Sequence, residues 1–169
     1  MNAEKFNALS DKDKRIALAK DVIKHIKGDK FKVKSNNGYF VSDEISTILD
    51  ESEKEFSLQK LIKKVDDCVV CAQGALFLCD IKARNQFSIT QNLSGIDDDS
   101  IMEHLTYFSK EQLSLIEVAF ERFPDYIHSH IDIGLRIRAR DFGYRWNIDD
   151  YRLIGIMENI IVNDGEFIP

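Results

Sequence analysis

The stretch NIDDYRLIGIMENIIVNDG, residues 147–165, decides the fold class of this chain of 169 residues. Its large apolar side chains recur at positions i, i+3, i+4, i+7 and i+8, which is the spacing of an α-helix with one buried face. The residues of that face are Leu153, Ile156, Met157, Ile160 and Ile161. The turn residues Asn163-Asp164-Gly165 follow, so the stretch predicts a helix that begins after Asn147 and ends there.

Two earlier stretches carry the same kind of signal. Ser10 is suited to cap a helix that Gly28 ends, and Ser109-Lys-Glu-Gln112 matches a capping box, in which each side chain bonds the backbone amide at the other end. The predicted buried stripes are Leu18, Val22 and Ile26 in the first helix and Leu113, Ile116 and Phe120 in the second. Both stretches therefore predict amphipathic helices.

Shorter patterns fill the rest of the chain. The run CVVCAQGALFLCDIKA, residues 68–83, predicts a buried helix, and brief helices are predicted after Ser42, after Ser57 and over residues 101–108. The run FKVKSNNGYFV, residues 31–41, predicts a short β-hairpin around the turn residues Asn-Asn-Gly. A further brief strand is predicted near Phe87.

The segment from Tyr126 to Phe142 fits two structures. Its apolar residues fall on odd positions while histidine, aspartate and arginine fall on even ones, an alternation typical of a half-exposed strand. Pro124-Asp125 is nevertheless a good helix start, and Gly143 lies where a helix would end. We favour a helix because the surrounding chain is helical. The expected fold is mostly α (α+β): a single compact multi-helix domain, residues 1–169, with one short β-hairpin.

Composition limits the functional classes. Hydrophobic residues make up 44% and charged residues 31%, which argues against disorder. The 23 lysines and arginines against 29 aspartates and glutamates give a net charge of −6, which disfavours a general nucleic-acid binder. The N-terminal residues are charged, and no apolar run reaches the roughly 18–20 residues of a membrane span. We therefore expect a cytoplasmic protein with no membrane contact.

The three cysteines lie close together and suggest two kinds of site. Cys68-x-x-Cys71 has half the spacing of a zinc site, or of a redox pair, and Cys79 follows eight residues later. A second metal-binding half is missing, and the neighbouring residues are apolar. Cys68, Ala72, Ala75 and Cys79 also share one helical stripe of small residues. We therefore prefer reduced, buried cysteines that let a neighbouring helix approach closely.

His128-x-His130-x-Asp132 is a second candidate, here for a metal site. On a strand the three side chains share one face and can hold a metal ion, whereas on a helix they spread around the axis. Known hydrolase motifs of this kind need further ligands downstream, and only His25 and His104 occur elsewhere in the chain. A solvated polar edge is the preferred interpretation.

Arginines and aromatic residues cluster before the final helix, and they form the candidate partner-contact set. Three interpretations stay open for this set: internal pairing with the chain's own carboxylates such as Asp149, Asp150 or the run Asp97–Asp99, a protein interface, or a nucleic-acid contact. The residues are Arg136, Arg138, Arg140, Tyr144, Arg145 and Trp146.

Three stretches, CVVCAQGALF (68–77), FSKEQLSLIEVAFE (108–121) and RLIGIMENIIVNDGEF (152–167), together resemble small uncharacterised proteins of phages, prophages and other mobile elements. The resemblance covers about a quarter of the chain. It implies no reaction and no catalytic residue. What it implies is a context in which small acidic proteins bind and block host machinery, including defence systems.

The expected function is therefore a non-enzymatic protein-binding module, in the sharpest form a phage-encoded inhibitor of a host protein. No nucleotide-binding loop, no G-x-S-x-G and no H-E-x-x-H occurs, so no catalytic residue, cofactor or metal is assigned. The expected partner is a host protein or a second copy of the chain. The alternatives are a nucleic-acid-contacting protein that uses residues 136–146 and a metal-dependent enzyme built on His128, His130 and Asp132.

Overall fold

A computed structural model of the chain describes residues 2–35, 40–41, 68–85, 104–122 and 130–169. The described residues are mostly helical, which confirms the predicted fold class. The helices are α1 (Ala3–Asn7), α2 (Asp11–Lys27), α3 (Ala72–Arg84), α4 (Lys110–Glu121), α5 (Ile133–Gly143) and α6 (Asp149–Val162). The strands are β1 (Phe31–Val33), β2 (Phe40–Val41) and β3 (Cys68–Val70).

The predicted hairpin of residues 31–41 is wrong in its pairing. Both of its strands exist, but each pairs with β3, so the order in the sheet is β1-β3-β2. Strand β1 runs parallel to β3, with Phe31 opposite Cys68, and β2 runs antiparallel to it, with Phe40 opposite Val70. Strand β3 buries Cys68 and Val70, and the central position gives its backbone groups partners on both sides.

The predicted helix over residues 68–83 begins later than expected. Residues 68–70 form β3, and Cys71 is the N-cap of α3, with its sulfur accepting a hydrogen bond from the backbone N–H of Gly74. The pair of valines after Cys68 favours a strand, because β-branched side chains fit a pleated sheet better than a helix. Cys68 therefore does not belong to the helical stripe that Ala72, Ala75 and Cys79 share.

Several predicted helix ends are confirmed. Ser10 and Ser109 cap α2 and α4 through hydrogen bonds from Asp13 and Gln112, and Gly28 is the C-cap of α2. The second predicted bond of the capping box, between the Gln112 side chain and the backbone N–H of Ser109, is wrong. The Gln112 side chain turns to the C-terminal segment, where it accepts from the Phe167 N–H at 2.6 Å and donates to the Phe167 carbonyl at 3.3 Å.

The helical interpretation of the ambiguous segment holds for its described part. Helix α5 spans Ile133–Gly143, and Asp132 caps it by accepting a hydrogen bond from the Leu135 N–H at 3.1 Å. Gly143 is the last helical residue rather than the residue after the helix. The predicted helix start at Pro124-Asp125 lies outside the described residues, as do the predicted helices after Ser42 and Ser57 and the strand near Phe87.

The core is one cluster of buried apolar side chains with α3 at its centre, since every residue from Ala72 to Ile81 is buried. Helix α2 packs against α6, and α4 packs against α5. The predicted stripes of α2, α4 and α6 all enter this core, with Ile161 half-buried at its edge. Among the described helices, none combines the length and the apolar character of a membrane span.

The C-terminal segment is tied to the helices by Arg15. Its guanidinium donates to the carbonyls of Gly165 and Tyr107 and to the Glu166 carboxylate, at 2.8, 2.6 and 2.6 Å. Arginine suits this task because its planar group offers five donors in a fixed arrangement. One side chain of α2 therefore joins the segment before α4 to the chain after α6.

Gly143 sets how closely α5 approaches α4. A Cβ atom at this position would overlap the backbone carbonyl of Ala119, which cannot move without shifting α4. We predict that Gly143→Ala lowers the free energy of unfolding by about 3 kcal/mol, as overpacking of a rigid contact does. Urea unfolding followed by circular dichroism measures the effect.

Gly134→Ala is the matched control on the same helix. A Cβ at Gly134 meets only the ends of two side chains, Asp132 and Arg138. The control is expected to stay within about 1 kcal/mol of the parent, because alanine is also the better helix former. Equal losses for the two variants would refute the assigned role of Gly143.

Candidate functional site

Helix α5 divides the predicted arginine set between buried and exposed positions. Arg136 is buried, Arg140 is half-buried and Arg138 is exposed. Residues 136 and 140 are one helical turn apart and share a face, whereas residue 138 points elsewhere. The three arginines therefore do not form one exposed basic stripe.

The remaining predicted contact residues follow α5 in a short turn. Tyr144 is 56% exposed, and the Arg122 guanidinium lies 5.4 Å from the centre of its ring. Arg145 is exposed and stacks over Phe142 at 4.5 Å. Trp146 is half-buried between Phe142, whose ring centre is 5.2 Å from its own, and the backbone of α6. The turn thus presents Tyr144 and Arg145 outward and uses Trp146 for packing.

Two further exposed residues, which were not predicted from the sequence, follow this turn in the chain. Ile148 is 55% exposed and Tyr151 is 59% exposed. Ile148 is the N-cap of α6 and makes no side-chain capping bond, although polar residues are strongly preferred there. An apolar residue directly before Asp149-Asp150 was the signal available in the sequence. We call Tyr144, Arg145, Ile148 and Tyr151 the turn surface.

A buried arginine fixes the backbone beneath the turn surface. The side chain of Arg152 is fully buried and donates to the carbonyls of Phe120, Gly143 and Trp146 at 2.9, 3.2 and 3.2 Å. It also donates to the Asp149 carboxylate at 2.8 Å. These bonds join the C-terminal ends of α4 and α5 to the first turn of α6.

The charge of Arg152 is balanced locally. Burial lowers the pKa of Arg152 from its ordinary value, and the carboxylate of Asp149 opposes that shift. The other carboxylate oxygen of Asp149 accepts a hydrogen bond from the Ser35 N–H at 2.7 Å. Ser35 follows β1, so Asp149 also links Arg152 to the sheet. Removing Asp149 would leave the fully buried guanidinium without its carboxylate, a change that typically costs about 3–5 kcal/mol.

One of the expected carboxylates, Asp149, pairs with Arg152, which lies outside the predicted arginine set, and within that set Arg140 Nε lies 4.0 Å from Asp141. Besides Arg152 and Asp149, Arg84 donates to the buried Asp80 at 2.9 Å. The Tyr107 hydroxyl also donates to Asp80, and His104 Nε2 lies 2.8 Å from its second oxygen. This cluster secures residues 104–107 against α3. The predicted partners Asp97–Asp99 lie outside the described residues.

The predicted burial of the cysteines is confirmed. Cys68, Cys71 and Cys79 are all buried and none forms a disulfide. Burial raises the pKa of Cys71 to about 12 and raises that of Cys79 well above its ordinary value. Metal binding and thiol redox chemistry both use the thiolate, which these environments disfavour.

The His128-x-His130-x-Asp132 pattern is only partly visible. His128 lies outside the described residues, and His130 is an exposed residue of the turn before α5. The Asp132 carboxylate accepts the Leu135 N–H as the α5 cap. This bond gives Asp132 a structural role that the metal-site interpretation did not include.

A polar cluster around His25 was not predicted from the sequence. The His25 ring is buried and stacked on Phe31 at 4.9 Å. Its Nδ1 lies 2.7 Å from the Asp21 carbonyl and 4.0 Å from the Cys79 sulfur, and its Nε2 lies 2.9 Å from the Lys82 ammonium. Because an ammonium only donates, Nε2 accepts from Lys82 and Nδ1–H donates to Asp21.

This hydrogen-bonding scheme bears on metal binding. Single donor atoms of Asp21, His25 and Cys79 lie within 4.8 Å of one another, a spacing that a metal ion could bridge. Both nitrogens of His25 are engaged, however, and the Lys82 ammonium stands beside the ring. The side chains of this cluster are therefore better explained by hydrogen bonding within the protein than by metal binding.

Comparisons of the chain with protein families, with curated proteins and with solved structures found no match.

The cysteine environments give a direct test. We predict that the folded protein reacts with Ellman's reagent at least about a hundredfold more slowly than free cysteine, because burial disfavours the thiolate and blocks access. In denaturant, three thiols per chain should react at once. Rapid reaction of one native thiol would contradict the core role of the cysteines.

Proposed function

We propose that this protein is a non-enzymatic binding module that contacts a partner protein through the turn surface. The observation that carries the proposal is the exposure of Tyr144, Ile148 and Tyr151, each more than half exposed within eight residues. Large apolar side chains grouped in this way on a soluble fold mark interaction sites.

The chemistry of the turn surface suits protein recognition. Tyrosine, tryptophan and arginine are the residues most enriched at interface positions that dominate binding energy. Tyr144 and Tyr151 each offer a ring and a hydroxyl, and Arg145 adds a cation at the side. A partner with an apolar pocket next to a carboxylate would match this arrangement.

The backbone of the turn is held before any partner binds. Arg152 bonds the Gly143 and Trp146 carbonyls, so the turn cannot open without breaking buried hydrogen bonds. A preorganised surface loses less conformational entropy on association. Ile148 supports the same function, because an exposed apolar N-cap breaks a local sequence rule, and such violations concentrate at functional sites.

The nucleic-acid alternative has weaker support. A groove for a phosphate backbone needs several exposed cations along one face, whereas α5 buries Arg136 and half-buries Arg140. The net charge of −6 also opposes it. The resemblance to phage and mobile-element proteins favours a host protein as the partner, and a second copy of the chain is the alternative.

The proposal predicts that binding depends on the turn surface. The variant Ile148→Ser with Tyr151→Ser is expected to bind the partner at least about thirtyfold more weakly, because each residue offers a large exposed apolar side chain for contact. The matched control is Val162→Ser with Ile168→Ser, which alters two residues that are 77% and 57% exposed elsewhere.

The measurement uses a photo-crosslinking residue at position 144 of the turn surface, or at the exposed position 27 of α2, in the full chain in lysate, followed by mass spectrometry. A discrete adduct from position 144 that the turn variant loses and the control keeps would support the proposal. Adducts equal at both positions, or a partner retained by the turn variant, would refute it. Sedimentation of the purified chain measures whether it self-associates. Self-association would identify the partner as a second copy of the chain rather than a host protein.

A further inference from the structure

A cavity of about 620 Å³ lies between α1, α2 and the C-terminal part of α3. One wall is apolar and consists of Phe6, Ala17, Leu18 and Ala83. Phe6 and Leu18 belong to the buried core, so this wall is continuous with the packed interior. The volume falls within the roughly 300–1,000 Å³ of ordinary small-molecule sites.

The polar lining of the cavity is strongly cationic. Lys20, Lys24 and Lys30 are exposed at its edge, and Lys82 is half-buried in its wall. Asp21 is the one carboxylate among the described lining residues. Four ammonium groups against one carboxylate, in a chain with a net charge of −6, make this an electropositive pocket on an acidic protein.

The inner cation is held in place by the His25 cluster. His25 Nε2 accepts a hydrogen bond from Lys82 at 2.9 Å, while the opposite nitrogen donates to the Asp21 carbonyl. Stacking on Phe31 fixes the plane of the ring. The buried imidazole therefore positions the Lys82 ammonium at the boundary between the apolar wall and the edge.

Two backbone carbonyls beside the cavity already accept hydrogen bonds. The carbonyls of Lys24 and His25, at the C-terminal end of α2, accept the N–H groups of Gly28 and Lys30 at 3.1 and 2.9 Å. These acceptors are satisfied within the helix cap. The charged side chains of the described lining are four ammonium donors and one carboxylate, a balance that suits an anion.

We propose that this cavity binds a single-chain fatty-acid anion, with the carboxylate at Lys82 and the lysine edge and the hydrocarbon chain against Phe6 and Leu18. A carboxylate accepts several charge-assisted hydrogen bonds from ammonium groups. Inorganic phosphate would leave the apolar wall uncovered, and an uncharged lipid would gain no charge-assisted hydrogen bond from the lysines. The site shares no residue with the turn surface, so failure of either proposal leaves the other standing.

The test is isothermal titration calorimetry of the full chain with dodecanoate below its micelle-forming concentration. Two probes separate the contributions: acetate has the same head without the chain, and dodecyltrimethylammonium has the same chain with the opposite charge. Dodecanoate is expected to bind at least about tenfold more tightly than either probe. Equal affinity for the two long-chain probes, or no detectable dodecanoate binding, would overturn the proposal.

Variants locate the binding. Lys82→Met keeps most of the length of the side chain and removes its charge, so dodecanoate affinity should fall roughly tenfold. Lys110→Met, on an exposed residue of α4 away from the cavity, should leave it unchanged. If circular dichroism shows that Lys82→Met does not fold, the exposed Lys24→Met provides the same test with a smaller expected loss. Unchanged affinity in the folded lining variant would overturn the proposal.

Vesicles that carry an anionic phospholipid separate a free fatty acid from a membrane headgroup. Dodecanoate binding without vesicle binding in a sedimentation assay is the expected result. Vesicle binding that Lys82→Met does not weaken, together with undetectable dodecanoate binding, would assign the lysines to a membrane surface and overturn the proposed site.

Discussion

The buried guanidinium of Arg152 is the interaction on which the C-terminal half of the structure depends. It donates to three backbone carbonyls and one carboxylate, from α4, α5, the following turn and α6, and its own side chain is fully buried. Carbonyl groups at helix C-terminal ends have no partner within their own helix, and here a side chain supplies one. The position of each of these elements is therefore coupled to the others.

Close packing around this centre leaves room only for glycine at two positions. Gly143 lies against the backbone of Ala119, and Gly155 lies against the ring of Trp146. With Trp146 held between Phe142 and α6, its neighbours Tyr144 and Ile148 are directed outward. The packing of Trp146 in the interior thus leaves the side chains of Tyr144 and Ile148 exposed. The close packing that stabilises the fold therefore also exposes the residues of the proposed interface.

The sequence predicted the elements better than their partners. Helical periodicity identified α2, α4 and α6, because burial of one face repeats every turn. The pairing of β1 and β2 with β3 could not be predicted from the sequence. Residues 42–67 separate β2 from β3, and strand pairing depends on contacts between residues distant in the chain. The burial of Arg136 could not be predicted, because the alternating pattern fits an exposed strand face as well as a helix. Arg152 was not identified from the sequence, since three of its four partners are backbone carbonyls.

A double-mutant cycle between Arg152 and Asp149 tests the central role of this pair most directly. The free energy of unfolding in urea is measured for the parent, Arg152→Met, Asp149→Asn and the double variant. We expect Arg152→Met to lose about 3–5 kcal/mol, and the double variant to lose at least about 1 kcal/mol less than the sum of the single losses. Losses that add within about 0.5 kcal/mol, with Arg152→Met costing less than about 1 kcal/mol, would contradict a structure organised around this buried pair.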